Sequence, residues 1–251
     1  GNLSGALREM TATLWARMNA IEGFAADVAH EIKNPLTSLR SAVETASRID
    51  DPVKHRRMMA IILDDVQRLD RLISDISDAS RLDAELSRVR LGRVDLTGLL
   101  NILAEVEQAA ADARGTAAPR LVLDLPPGGS ITVRGIEDRL AQVFRNLIAN
   151  AVSFSPPGGK IRLHAEVTGA RVVVTLEDEG PGLPEGKFEA VFDRFYTERP
   201  AGEKFGTHSG LGLAISRQII DAHRGTIRAE NIVVDGRVAG ARFIVTLALA
   251  R

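Results

Sequence analysis

A histidine at position 30 stands on the wrong face of its helix. Residues 24 to 36 read Phe-Ala-Ala-Asp-Val-Ala-His-Glu-Ile-Lys-Asn-Pro-Leu, and at ~100° per residue the apolar seam Ala25, Val28, Ile32 points away from His30. The imidazole is therefore expected in solvent. Glu31 follows directly, and Asn34 lies one turn later on nearly the same face. Pro35 cannot donate a helical hydrogen bond to the Glu31 carbonyl, so a bend is expected here. An exposed imidazole, a carboxylate, an amide and a bend suggest chemistry rather than packing.

Four later stretches could also carry chemistry. Asn146 and Asn150 fall at i, i+4 on a helix running from about Leu140 to Phe154. Their amide oxygens suit a hard cation such as Mg²⁺, although such a pair is more often a solvated or capping feature. Leu176-Glu177-Asp178-Glu179-Gly180-Pro181-Gly182 runs from a strand into an acidic, glycine-rich turn. There Asp178 could accept a hydrogen bond from an adenine amino group while the glycines admit the ring; in isolation the same stretch is an ordinary turn. Phe192-Asp193-Arg194-Phe195-Tyr196 precedes a polar segment through His208 and reads as the anchor of a flap, with Arg194, Arg199 and Lys204 available to phosphates. Ser209-Gly210-Leu211-Gly212-Leu213 opens an apolar helix whose first N–H groups would face a phosphate chain. No Lys-Ser/Thr pair follows those glycines, which excludes a Walker loop, and no dinucleotide-binding βαβ unit surrounds them.

The elements that must hold these residues divide near residue 90. Before it, Leu3, Leu7, Met10, Leu14, Met18, Ile21, Ala25 and Val28, then Met59, Ile62, Val66, Leu69, Ile73 and Ile76, recur at heptad-like spacing. They predict two long helices with narrow seams and a stutter at Met10, Leu14, Met18. Ile49-Asp50-Asp51-Pro52 separates them, with an acidic cap and Pro52 in the first turn of the second helix. One hairpin buries little, so a second copy completing a four-helix bundle is expected, a plain dimer stalk being the alternative. After Arg90, helices are predicted at 97 to 114 and 137 to 153. Strands are predicted at 121 to 125, 131 to 134, 161 to 167, 171 to 177, 226 to 232 and 238 to 249, with hairpin turns near Ala170 and at Asp235-Gly236. The pattern is an α+β sandwich.

Composition adds exclusions. The net charge of −1 and 4% aromatic content give no pull toward nucleic acid. With no cysteine there is no disulfide framework or thiolate metal site. No run of 18 apolar residues and no signal peptide occur, and a start at Gly1 already in helical register reads as a piece of something longer.

The joint order of these motifs resembles the cytoplasmic catalytic part of bacterial two-component sensor histidine kinases, from about residue 20 to the end. His30-Glu31-Ile32-Lys33-Asn34-Pro35-Leu36 is similar to their phosphoacceptor box and Asn146 to Ala151 to their N box. Asp178 to Gly182 is similar to their first glycine box, Phe192 to Tyr196 to their F box, and Ser209 to Leu213 to their second glycine box. Residues 1 to 21 resemble the end of a HAMP-type signalling linker, and the wording from Arg194 to Gly210 is similar to ChvG-type kinases of alphaproteobacteria.

The resemblance implies a helical hairpin forming a dimeric four-helix bundle over 22 to 90, then an α+β sandwich ATP-binding domain of the GHKL or Bergerat type over 91 to 251. It implies ATP and Mg²⁺, with phosphoryl transfer to His30, Glu31 as base, and Asn34 orienting a water for dephosphorylation of the partner. Asp178, Gly180 and Gly182 would hold adenine, Asn150 and Asn146 the metal, and Arg194, Tyr196, Lys204, Ser209, Gly210, Leu211, Gly212 and Leu213 the rest of the nucleotide. The implied partners are a second copy and a response regulator receiver domain, not nucleic acid. The full-length protein is expected in the bacterial inner membrane, anchored by segments absent from this cytoplasmic piece. Three positions depart from the family pattern. Ser153 stands where a lysine or arginine is common, with Lys204 or Arg199 expected to replace its charge, and His208 and Arg224 stand where glycines are usual. A conformational ATPase of the same fold and a non-catalytic dimeric scaffold are the alternatives; the setting of His30 argues against the first, the full set of catalytic side chains against the second.

Overall fold

The computed structural model describes residues 2–49, 51–86, 91–126, 129–196 and 209–250. They fall into two units, Gly1–Ile76 and Ser77–Arg251. No helix among the described residues is long and apolar enough to cross a membrane.

The first unit is built on α1 (Asn2–Ala46) and the larger part of α2 (Pro52–Leu86). α1 runs through Pro35 without interruption, and the proline ring is buried. The break falls where the acidic dipeptide and proline predict it. Asp51 Oδ1 accepts the Val53 and Lys54 N–H groups at 2.8 and 3.4 Å, capping α2, and Pro52 opens the helix where no N–H is needed. Along α1 Ala42 and Ala46 are buried and along α2 Leu72, while most other seam residues keep substantial exposure.

The second unit is a layered α+β fold. Its five-stranded sheet has the order β2-β4-β5-β7-β6, formed by Arg120–Asp124, Lys160–Thr168, Arg171–Glu177, Arg237–Ala248 and Thr226–Val234. β2 and β4 are parallel and the other pairs antiparallel. A separate two-stranded ladder pairs β1 (Gly92–Asp95) with β3 (Thr132–Gly135). β1 was not foreseen in the sequence, since four residues of Gly-Arg-Val-Asp carry one apolar side chain and too little alternation to register.

Alternation explains the layering. Val172, Val174 and Leu176 on β5 and Phe243, Val245 and Leu247 on β7 point to one face and are buried. Against that core lie the apolar stripes of α3 (Leu96–Arg114), α4 (Glu137–Phe154) and α5 (Gly212–Ala222), through Leu100, Leu140, Phe144, Leu147, Ile215 and Ile219. Each such side chain contributes about 1.5–3 kcal/mol by leaving water. The opposite sheet face is polar. Arg162, Glu177, Arg242 and Glu230 form a cross-strand ion ladder at 2.7 to 3.1 Å.

Candidate active site

The phosphoacceptor candidates lie in the first unit and the nucleotide candidates in the second. On α1, His30 and Asn34 are exposed, as the helical phase predicts. Glu31 is not free: Arg68 Nη2 of α2 lies 3.2 Å from its Oε2, and both side chains are largely covered. Arg68 carried no signal in the sequence because the ion pair joins residues 37 positions apart. Three residues before it, Asp65 has a buried oxygen, Oδ2, with no hydrogen-bond partner among the described residues.

The nucleotide candidates begin at the end of β5. Asp178 is only 3% exposed. Its Oδ1 accepts the Gly180 N–H at 2.8 Å and the Ala241 N–H at 3.2 Å, while Oδ2 has no donor among the described residues. Burial raises the carboxyl pKa above the ordinary 3.8, and the two N–H donors pull against that rise. A desolvated carboxylate with one oxygen held and the other open fits an amino-group donor on a planar ring. The backbone around it admits no extra carbon. A Cβ at Gly180 would lie 2.8 Å from both Asp178 Oδ1 and the Phe154 carbonyl oxygen, and one at Gly240 would overlap the Asp178 carbonyl oxygen.

α4 brings Asn146 and Asn150 to the same face, both half-buried. Asn146 Nδ2 donates to the Gly212 carbonyl at 3.0 Å and to Ser216 Oγ at 3.4 Å, so its amide nitrogen ties α4 to the start of α5 and leaves its oxygen as the group available to a cation. Asn150 has no partner among the described residues. Oxygens of two neutral amides match a hard cation that retains most of its water.

The second glycine stretch is built as a helix entry. Ser209 and Leu211 are buried, Gly210 and Leu213 half-buried, and the Leu211 N–H donates to Ser209 Oγ at 3.2 Å. Gly210 adopts φ 73, and α5 starts at Gly212 with no side-chain cap. Its first N–H groups therefore have no side-chain cap among the described residues, as an anion would require. Phe195, at φ 60, donates its N–H to the Gly210 carbonyl at 2.9 Å, which joins the two motifs. Phe192 is the buried anchor, packed edge-on to Phe243 at 6.2 Å with the Arg217 guanidinium 4.5 Å from its ring centre. Arg194 is exposed and Tyr196 half-buried. Arg199, Lys204 and His208 lie outside the described residues, and with them the expected substitute for the charge missing at Ser153.

Two supporting residues gave no sequence signal. Ser216 donates to the Gly212 carbonyl at 2.8 Å and also receives Asn146. His223, 4% exposed, donates from Nδ1 to the Ile219 carbonyl at 2.7 Å while its Nε2 accepts the Ile136 N–H at 3.0 Å. It thereby links the end of α5 to the residue that caps α4 without a side chain of its own.

Comparison with known proteins gives this geometry a family. Residues 20–85 match the His Kinase A (phospho-acceptor) domain and residues 135–251 the histidine kinase-, DNA gyrase B-, and HSP90-like ATPase domain. The chain is 52% identical over 251 residues to the sensor protein ChvG of Rhizobium meliloti, covering 98% of this chain and 44% of that protein. It is 31% identical over 233 residues to the signal transduction histidine-protein kinase BaeS of Escherichia coli, covering 92% and 48%. Thus the chain spans about half the length of the curated relatives it matches or less. Among solved structures, histidine kinase ThkA in complex with response regulator protein TrrA superposes with a TM-score of 0.72 at 26% identity, over 97% of this chain and 66% of that one. A phospho-acceptor hairpin and a GHKL-type ATPase domain in this order, with such likeness to ChvG across the whole chain, mean that the chain belongs to the ChvG-type sensor histidine kinases.

Proposed function

We propose that this chain is the catalytic part of a sensor protein that phosphorylates itself on His30 and passes the group to an aspartate of a response regulator. The observation that carries this reading is the exposed imidazole of His30, without a hydrogen-bond partner among the described residues, inside the matched phospho-acceptor domain. In the transfer, a ring nitrogen of His30 lacking a proton attacks the γ-phosphorus of ATP. The N–P bond forms as the bond to the bridging oxygen breaks, and ADP leaves with that oxygen. Glu31 takes up the hydrogen bond from the other ring N–H and offsets the charge that develops on the imidazole. Alignment and charge neutralisation supply most of the rate in such a reaction.

ATP is held by the second unit, with adenine on Asp178, Gly180 and Gly182, the phosphates at Ser209 to Leu213, and Arg194, Tyr196 and Lys204 as further nucleotide-binding residues. Asn150 and the Asn146 oxygen would hold Mg²⁺, which would supply charge neutralisation at the phosphates. Asn34, exposed one turn from His30, orients a water when the same surface dephosphorylates the regulator. The hairpins pair into a homodimeric bundle, and segments preceding this piece place the full-length sensor in the bacterial inner membrane with the catalytic part in the cytoplasm.

The transfer is tested by labelling the chain with γ-labelled ATP and Mg²⁺, removing nucleotide, and adding a receiver domain with its acceptor aspartate intact or changed to asparagine. Label should move to the intact receiver alone. Label that stays on the chain in the presence of every receiver tried, including those of ChvG-type systems, would overturn the phosphotransfer half of the reading.

A further inference from the structure

Asn231 lies in β6, outside every motif singled out in the sequence, yet its side chain makes both hydrogen bonds that a neighbouring strand would offer. Its Oδ1 accepts the Leu183 N–H at 2.6 Å and its Nδ2 donates to the Leu183 carbonyl at 2.8 Å. Leu183 directly follows Gly182, which sits at φ 77. A Cβ there would run into Val238 Cγ1 and lie 2.7 Å from Asn231 Oδ1. The far end of this loop is fastened to the same hairpin, because Asp178 Oδ1 accepts the Ala241 N–H and the Asp178 N–H donates to the Ala241 carbonyl at 3.0 Å. Residues 178 to 183 are thus pinned at both ends to β6 and β7, once by the ladder-like contact at Ala241 and once by a single amide.

The two pins differ in what they support. The ladder pairing of Asn231 with Ala241 uses backbone groups, so the sheet does not depend on the Asn231 side chain. The loop beyond Leu183 has little other anchorage, with Pro181 and residues 184 to 187 largely exposed. We propose that Asn231 is a positioning residue for nucleotide binding: by holding Leu183 it fixes the Gly180–Gly182 backbone against the adenine ring. This deepens, and rests on, the assignment of the Asp178 loop to adenine.

The test uses the full chain and three variants, Asn231→Ala, Asn231→Leu and Asn231→Asp. Leucine preserves the volume without the hydrogen bonds, and aspartate keeps the acceptor while setting a carboxylate against the Leu183 carbonyl. The measurements are the dissociation constant of ADP by calorimetric titration, KM and kcat for ATP in His30 labelling, and the melting temperature without nucleotide. Asn231→Ala and Asn231→Leu should weaken ADP and raise KM by about tenfold, the loss expected for two neutral hydrogen bonds, and Asn231→Asp, which keeps one of the two, by less, with kcat at saturating ATP and the nucleotide-free melting temperature unchanged. A merely structural residue would lower the melting temperature and the active fraction but leave KM alone, and that outcome overturns the proposal. So does native ADP affinity in Asn231→Ala or Asn231→Leu. If the native chain itself binds no ADP, the assignment of the Asp178 loop fails and this proposal with it, whereas unchanged affinity in the variants removes this proposal alone.

Discussion

At the scale of single residues, the proposed site contains a carboxylate whose charged form burial penalises. Asp178 is buried with one oxygen unpaired among the described residues, and its raised pKa means that the folded state resists the charged form. Asp178→Asn keeps an acceptor for the Gly180 and Ala241 N–H groups while removing the charge. Its melting temperature should therefore equal or exceed that of the native chain. Its ADP affinity should fall roughly 10–100-fold, the range for losing a hydrogen bond to a charged group; calorimetry and thermal melting check the pair. His223 acts in the opposite sense. Burial lowers its pKa below the ordinary 6.5, against the smaller upward pull of the Ile219 carbonyl. Below that value the unfolded chain takes up a proton that the folded chain refuses. The contribution of a neutral His223 is complete above pH 6.5 and is lost as pH falls toward the folded pKa, because a protonated Nε2 would point a proton at the Ile136 N–H. The melting temperature of the second unit should fall between pH 7.5 and 5.5, and a flat profile would show that His223 does not bear this load.

At the scale of elements, what was legible in the sequence was what local chemistry dictates. The cap at Asp51 and Pro52, the alternation of β4, β5 and β7, the turn at Asp235-Gly236 and the glycine-led entry to α5 each follow from a few adjacent residues. What escaped was set by partners distant in the chain: Arg68 on Glu31, His223 on Ile136, Asn231 on Leu183, and β1, which exists only because β3 pairs with it. Asn146 shows both cases at once, since its spacing marked it while its bond to the Gly212 carbonyl could not be read. Arg224, noted as standing where a glycine is usual, adopts φ 55. A left-handed conformation costs a residue with a Cβ about 1–2 kcal/mol, so Arg224→Gly should stabilise the chain by about 1 kcal/mol after the greater entropy glycine loses on folding. Denaturant unfolding measures it; destabilisation would mean that the arginine side chain carries a contact worth more than the strain.

At the scale of the whole molecule, the hairpin is unfinished as a single chain. Along α2 the seam residues separate into two lines. Ile62, Leu69 and Ile76 are half-buried, while Met59, Val66 and Ile73, spaced by seven, are 42%, 40% and 55% exposed. One half-buried heptad line and a second, exposed one is the pattern of a helix with two neighbours, and a second copy would cover the exposed line. Ile73→Glu should therefore convert a dimer to a monomer in sedimentation experiments while the second unit still binds ADP. A native chain that sediments as a monomer at micromolar concentration would refute the bundle.

The claim on which the rest depends is that ATP held by the second unit delivers its γ-phosphoryl to His30 of the first. The direct measurement is the site of phosphate after incubation with ATP and Mg²⁺, mapped by mass spectrometry under alkaline conditions in the native chain and in His30→Gln. One phosphoryl group on His30, lost in acid, and none on the variant is the result expected. Phosphate on any other residue, or none on a chain that binds ATP, would contradict the account.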